Sequence, residues 1–296
     1  MVIGLAQKNY VRWLFVLPAL SVVVALFFYP ICSSIYFSFT NKNLIKPSYD
    51  FVGIENYKVV LSNKEFWIAF WNNIKWTFFS LTGQLLVGFT AALVLNRIKR
   101  FKSIYTTLLI IPWAFPTIVI AFSWQWILNG VYGYIPNVLV QLGICETPPQ
   151  FLIHKTGAFL CLVLINIWFG SPLIMVNVLS ALKTVPADQY EAAKIDGAKT
   201  WQSFYHITIP HIKLVMGLLV ALRTVWIFNS FDIIYLITGG GPAGVTQTVP
   251  ILAYNMGWGT KLLGRSSAVT VLLFLFLIFV LTIYFMVIRH WEKEEC

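Results

Sequence analysis

Six stretches of the chain are apolar over roughly the 20 residues needed to cross the hydrocarbon of a bilayer. They lie near 13–37, 70–95, 104–128, 158–182, 212–237 and 267–289. Between the fourth and fifth runs comes a polar stretch, 184–210, whose residues Tyr190–Pro210 read YEAAKIDGAKTWQSFYHITIP. Pro186, with its fixed φ, suits the first turn of a helix through Asp188, Glu191 and Ala193. Gly197 can adopt φ > 0 and so stop that helix and turn the chain. Thr200 then suits the N-cap of a second short helix that carries Trp201, Phe204 and Ile207 and ends at Pro210. The spacing predicts helix, glycine elbow, helix, slung between two spans. Pro18, Pro30, Pro112, Pro116 and Pro172 lie inside or beside the apolar runs, and Pro112 with Pro116 predicts a bent third span.

Composition agrees with this pattern. Of 296 residues 58% are hydrophobic and only 11% charged, against about 25% charged in a soluble domain. The formal net charge of +10 does not imply nucleic-acid binding, because the basic residues sit in short loops beside apolar runs. With six spans both ends share one side, which also holds Lys8, Arg12, Lys293, the polar loop and the tight cluster Arg97, Lys99, Arg100 and Lys102. The excess of Lys and Arg there predicts that both termini and the polar loop are cytoplasmic. The run from Trp13 is too long and aromatic for a cleaved signal peptide, so it reads as a retained span. Cys32, Cys145, Cys161 and Cys296 have no metal spacing and form no disulfide framework. No G-x-x-x-x-G-K-[ST] phosphate loop occurs, and the apolar runs contain no cluster of catalytic groups. The external segments 40–67 and 238–266 are longer than turns; the second opens with Gly239, Gly240, Gly241 and Pro242, which cannot continue a helix.

Glu191, Ala192 and Ala193, then Gly197, then Ile207 and Pro210 resemble the EAA loop of ABC importer permeases, with Ile209 at the usual leucine. FVGIENY at 51–57, IPWAFPT at 111–117, NIWFGSP at 166–172 and FNSFDIIYLITGGGP at 228–242 are similar to segments of its carbohydrate-uptake branch, the maltose-type and glycerol-phosphate-type permeases. The resemblance implies an all-α integral membrane protein with six transmembrane helices, a maltose-type permease fold and a cytoplasmic EAA coupling loop, forming one transmembrane domain over 1–296. It implies a bacterial cytoplasmic (inner) membrane location. It also implies a second permease subunit that forms a heterodimer with this one, two ATPase subunits and an extracytoplasmic solute-binding protein, with membrane lipid around and a saccharide as cargo. ATP and Mg would be bound in the partner ATPase; this chain would hold no cofactor and be no enzyme.

In that family the EAA loop docks into a cleft of the ATPase. Carried over, Tyr190, Glu191, Ala192, Ala193, Asp196, Gly197, Trp201, Phe204 and Pro210 become the coupling residues, with Tyr205 a further aromatic anchor. Sugars are held by hydrogen bonds to hydroxyls and by an aromatic face on the ring. Trp113 and Thr117 flank the proline pair at i, i+4; Asn166, Phe169, Gly170 and Leu173 form an i, i+3, i+4, i+7 stripe; Trp226, Ile227, Asn229 and Ser230 adjoin the FNSFD segment. These match the stretches that line the sugar cavity in maltose-type permeases. Arg223 and Asp232 lie within the fifth run, where charge is costly and marks a function or a buried pair; Arg223 must find a carboxylate, backbone carbonyls or water. The alternative, a secondary transporter, should show inverted repeats and a mid-membrane coupling carboxylate; no repeat is present and Asp232 lies off-centre.

Overall fold

A computed structural model describes residues 15–293, all helix and connecting loops apart from one isolated antiparallel bridge between Thr40 and Phe51. Lys8, Arg12, Trp13 and Cys296 lie outside the described residues. The chain divides into two compact units. One comprises the described part of Met1–Phe66 with Leu252–Phe276; the other comprises Trp67–Ile251 with the described part of Leu277–Cys296.

The helices, in order, are α1 (Phe15–Ser38), α2 (Glu55–Ser62), α3 (Lys64–Arg97), α4 (Lys102–Ala114), α5 (Thr117–Ile127), α6 (Tyr134–Gln141), α7 (Lys155–Leu182), α8 (Ala187–Ile195), α9 (Thr200–Ser203), α10 (Ile209–Phe228), α11 (Asp232–Thr238), α12 (Val249–Tyr254) and α13 (Leu263–Lys293). By length and composition five helical stretches can cross a membrane: Phe15–Ser38, Lys64–Arg97, Lys155–Leu182, Thr200–Thr238 and Leu263–Ile288. The pair α4 and α5 passes only jointly and bends by 89°. Pro112 sits inside α4 without stopping it; the break comes at Phe115, whose extended backbone (φ −85°, ψ 146°) leads into Pro116. A residue before proline avoids the helical region, which is the local cause. Trp113 and Thr117 therefore sit on two different helices and do not share a face at i, i+4.

Two prolines, Pro30 within the first apolar run and Pro210 where a short helix is expected to end, are absorbed without ending a helix. A π turn at Val24–Phe28 precedes Pro30, and another at Phe204–Thr208 precedes Pro210. In each, the amide just after the turn bonds five residues back, Tyr29 to Val24 and Ile209 to Phe204. This wider register accommodates the missing proline N–H, so the helix continues. The short helix expected to end at Pro210 thus runs on, from Thr200 to Phe228. Its N-cap is Lys199, not Thr200: the Lys199 amide donates to Gln202 Oε1 at 2.7 Å.

In the first unit the FVGIENY segment clamps the end of α1. Asn56, buried, donates through Nδ2 to the carbonyls of Ser38 (2.9 Å) and Thr40 (2.7 Å). The Gly264 amide donates to the Lys42 carbonyl at 2.9 Å. In the second unit the core forms two clusters, one around Trp76, Leu162, Ile165 and Ile227, the other around Ala92, Ile174, Val178 and Ile212. α3, α7 and α10 contribute to both. On each of these helices a buried polar residue falls between the two clusters: Gln84, Asn166 and Arg223.

Candidate functional site

The site begins with a helix break. The fifth apolar run, expected unbroken to 237, parts at Asn229–Phe231 although no proline or glycine lies there. α3 supplies the polar groups that support the break. Trp76 Nε1 donates to the Ile227 carbonyl (3.1 Å) and Asn73 Nδ2 to the Phe228 carbonyl (3.1 Å), while Asn73 Oδ1 accepts from the Val249 amide (3.3 Å). Asn72 Nδ2 reaches the carbonyls of Gly244 and Gln247 at 2.9 and 3.2 Å. An irregular backbone in an apolar bundle is tolerated where side chains satisfy it; Asn73 and Trp76 do so at the break, and Asn72 in the loop beyond it. Past the break α11 ends at Thr238, and Gly239 takes φ +61°.

Beside the break is a cavity of about 270 Å³. Thr117 of α5 and Asn166 and Phe169 of α7 line one part of it; Trp226, Ile227, Asn229 and Ser230 line another, with Arg223 and Asp232. Seven of the residues expected to line a sugar cavity, from three separate stretches, thus meet at one place together with Arg223 and Asp232. Trp113, Gly170 and Leu173 do not line it. Trp113 is exposed on α4, Leu173 is half-buried on α7, and Gly170 has a different place. A Cβ at Gly170 would run into Gln84 Nε2 and Arg223 Nη2, so the absent side chain makes room for both.

Arg223 is buried and has no carboxylate partner among the described residues. Its Nε donates to Gln84 Oε1 at 3.0 Å, its Nη2 donates to the same oxygen, and its guanidinium lies 5.6 Å from the centre of the Trp226 ring. Gln84 Nε2 in turn donates to the Asn166 carbonyl at 2.8 Å. A side-chain amide oxygen therefore takes the place of the expected carboxylate, backbone carbonyl or water. Gln84 joins α3, α7 and α10 at one node, and nothing in its local sequence marks it. Asn166 Nδ2 is buried and has no hydrogen-bond partner among the described residues. Asp232, expected to be off-centre, opens α11 and is exposed.

The polar loop forms a second constellation. α8 closes in a Schellman arrangement: the Gly197 amide donates to the Lys194 carbonyl (3.2 Å) and the Ala198 amide to the Ala193 carbonyl (2.9 Å). Gly197 takes φ +77°, the left-handed conformation that this closure demands. That geometry explains why a glycine stands four residues after Ala193. Pro186 is the N-cap of α8, one position earlier than its first turn. Tyr190 Oη and Thr208 Oγ1 share a hydrogen bond of 2.8 Å, which pins α8 to the π turn. Phe204 packs edge-on against Phe89 of α3. Tyr190 and Phe204 therefore face inward, while Trp201 (59%) and Tyr205 (63%) are exposed. Glu191, Ala192, Asp196 and Pro210 are exposed and Ala193 is half-buried. Ile195, not singled out in the sequence, is 87% exposed at the elbow and adds an outward apolar side chain.

Residues 84–293 match the family described as "Binding-protein-dependent transport system inner membrane component". The chain is 34% identical to the trehalose/maltose transport system permease protein MalF of Thermococcus litoralis, over 95% of this chain and 94% of that one. It is 30% identical to the diacetylchitobiose uptake system permease protein DasB of Streptomyces coelicolor, over 96% and 88%. Its fold is similar to a chain in the crystal structure of a bacterial ABC transporter involved in the import of the acidic polysaccharide alginate, with TM-score 0.86, 18% identity and 98% of each chain covered.

Proposed function

This chain belongs to the binding-protein-dependent transport system inner membrane components, and from that premise we propose that it is the permease subunit of an ATP-driven carbohydrate importer. The observation that carries the carbohydrate reading is the cavity beside the helix break. It unites Asn166, Asn229, Ser230, Thr117 and the aromatic Trp226 and Phe169 at one place. Hydroxyls satisfy such amides, and an aromatic face suits a sugar ring. The names of the relatives, which refer to trehalose/maltose and diacetylchitobiose, support the same class of cargo.

In this reading the bent pair α4–α5 serves as a sixth span, both termini are cytoplasmic, and the EAA loop is the handle for a separate ATPase that binds ATP and Mg. Ile195, Trp201 and Tyr205 offer apolar and aromatic anchors for a pocket on that partner, of the kind that carries most interface energy. Glu191 and Asp196 stand ready for basic groups at the rim. A second permease completes the translocation path, and an extracytoplasmic solute-binding protein delivers the sugar. The secondary-transporter alternative has no observation in its favour. The test is ATPase activity of the co-purified complex in lipid, with its binding protein and a panel of saccharides. Stimulation by a saccharide supports the proposal. A co-purified ATPase that responds to other solutes and to no saccharide removes the carbohydrate reading, and the absence of any co-purified ATPase removes the coupling.

A further inference from the structure

We propose that the cavity takes one ring of a neutral saccharide, and that Arg223, held by Gln84, is a further substrate-contacting donor within it. This rests on the carbohydrate-importer reading and narrows it. The cavity has two poles. At one, Arg223 spends Nε and Nη2 on Gln84 Oε1, and its Nη1 makes no hydrogen bond among the described residues. Asn166 Nδ2, on the neighbouring helix, is likewise an unused donor. At the other pole, Asn229 spends its Nδ2 on the Val225 carbonyl (2.9 Å), which leaves Oδ1 to accept. Asp232 adds a carboxylate there with no hydrogen bond among the described residues.

Arg223 and Asp232 line the same cavity but form no ion pair among the described residues. An anionic ligand drawn to Arg223 meets Asp232, and a cationic ligand drawn to Asp232 meets Arg223. A polyol meets neither penalty, because every hydroxyl both donates and accepts. Its ring oxygens and hydroxyls serve the donor pole, its hydroxyl protons serve the acceptor pole, and Trp226 offers a flat apolar face. At about 270 Å³ the cavity lies just under the usual range of small-molecule sites, about 300–1,000 Å³, so it encloses one ring and leaves the rest of a longer saccharide outside. Gln84 is a positioning residue: by tying two guanidinium nitrogens it fixes where the third points.

Direct equilibrium binding of radiolabelled saccharides to the purified complex, without the solute-binding protein, tests the inference. A neutral disaccharide should bind, and one of equal length carrying a uronic acid should bind more weakly. Gln84→Glu keeps the acceptor for Arg223 as an ion pair, cancels its net positive charge and loses the donor to the Asn166 carbonyl, so the guanidinium is less firmly placed. It should raise the Kd for the neutral sugar about tenfold, the order of one misplaced hydrogen bond. Arg223→Met should raise it further, and Asp232→Asn should relax exclusion of the uronate. Preference of the wild type for the uronate, or an unchanged Kd in Gln84→Glu and Arg223→Met, overturns the proposal. Saccharide-stimulated ATPase without direct sugar binding also overturns it while leaving the importer reading intact; failure of all saccharides to stimulate the ATPase removes both.

Discussion

Asn73 supports the most consequential irregularity of the chain, and replacing it by leucine puts a number on that support. Asn73 is fully buried (0% exposed) and makes two bonds, to the Phe228 carbonyl at the helix break and from the amide of Val249, itself 1% exposed. Side-chain hydrogen bonds inside membrane proteins average about 0.6 kcal/mol, with a maximum near 1.7. Two of them set a loss of about 1–3 kcal/mol. The Val249 amide also loses its acceptor in a dry setting, which puts the result toward the upper end. Leucine fills nearly the same volume, so cavity formation adds little. The control is Thr77→Val, one position past Trp76. Thr77 Oγ1 is buried with no hydrogen-bond partner among the described residues, so removing it should leave stability unchanged or raise it. The assay is thermal unfolding of the purified protein in detergent, followed by tryptophan emission. At about 2 °C per kcal/mol for a chain of this size, Asn73→Leu should lower the midpoint by about 2–6 °C while Thr77→Val does not lower it. Equal shifts for the two variants would refute the claim that α3 carries the break.

Other consequences are as concrete. Gly197→Asp should leave the protein in the membrane, because nothing lies within 4 Å of an added Cβ; it should cost about 1–2 kcal/mol locally through φ +77° and uncouple transport, so normal uptake would exclude a coupling role for the elbow. Tyr190→Phe removes the 2.8 Å bond to Thr208 and should loosen α8 by about 1 kcal/mol, read as faster amide exchange over residues 187–195 with unchanged exchange in α7. Asn166→Leu should weaken sugar binding or uptake without altering assembly; an unaltered uptake curve would take that stripe out of the site.

Hydropathy alone made the five long apolar helices legible, and the proline pair made the bend between α4 and α5 legible, because both are local properties. The break at Asn229–Phe231 was not legible. Its support comes from Asn73 and Trp76, more than 150 residues away in sequence, and no local punctuation marks it. Pro210 misled in the opposite direction: a proline usually ends a helix, but a π turn just upstream shifts the register so that the loss is absorbed. Stripe spacing placed Asn166 and Phe169 correctly on one continuous helix, yet it failed for Trp113 and Thr117, where the helix itself is interrupted. For Gly170 the motif pointed to the right neighbourhood and missed the reason, which is the space it leaves for Gln84 and Arg223. The EAA spacing, by contrast, is a local hydrogen-bond pattern, and Gly197 could be read from it directly.

The absorbed proline has a mechanical consequence. Helix continues from Thr200 through the π turn to Phe228, about 43 Å at 1.5 Å per residue, which is the thickness of a bilayer with its headgroups. The exposed elbow and the helix break are then opposite ends of a single shaft. The backbone bonding is continuous between them, so displacement near Thr200 is carried along the helix axis toward Phe228. The helical bonding is next interrupted at Asn229–Phe231, beside the cavity.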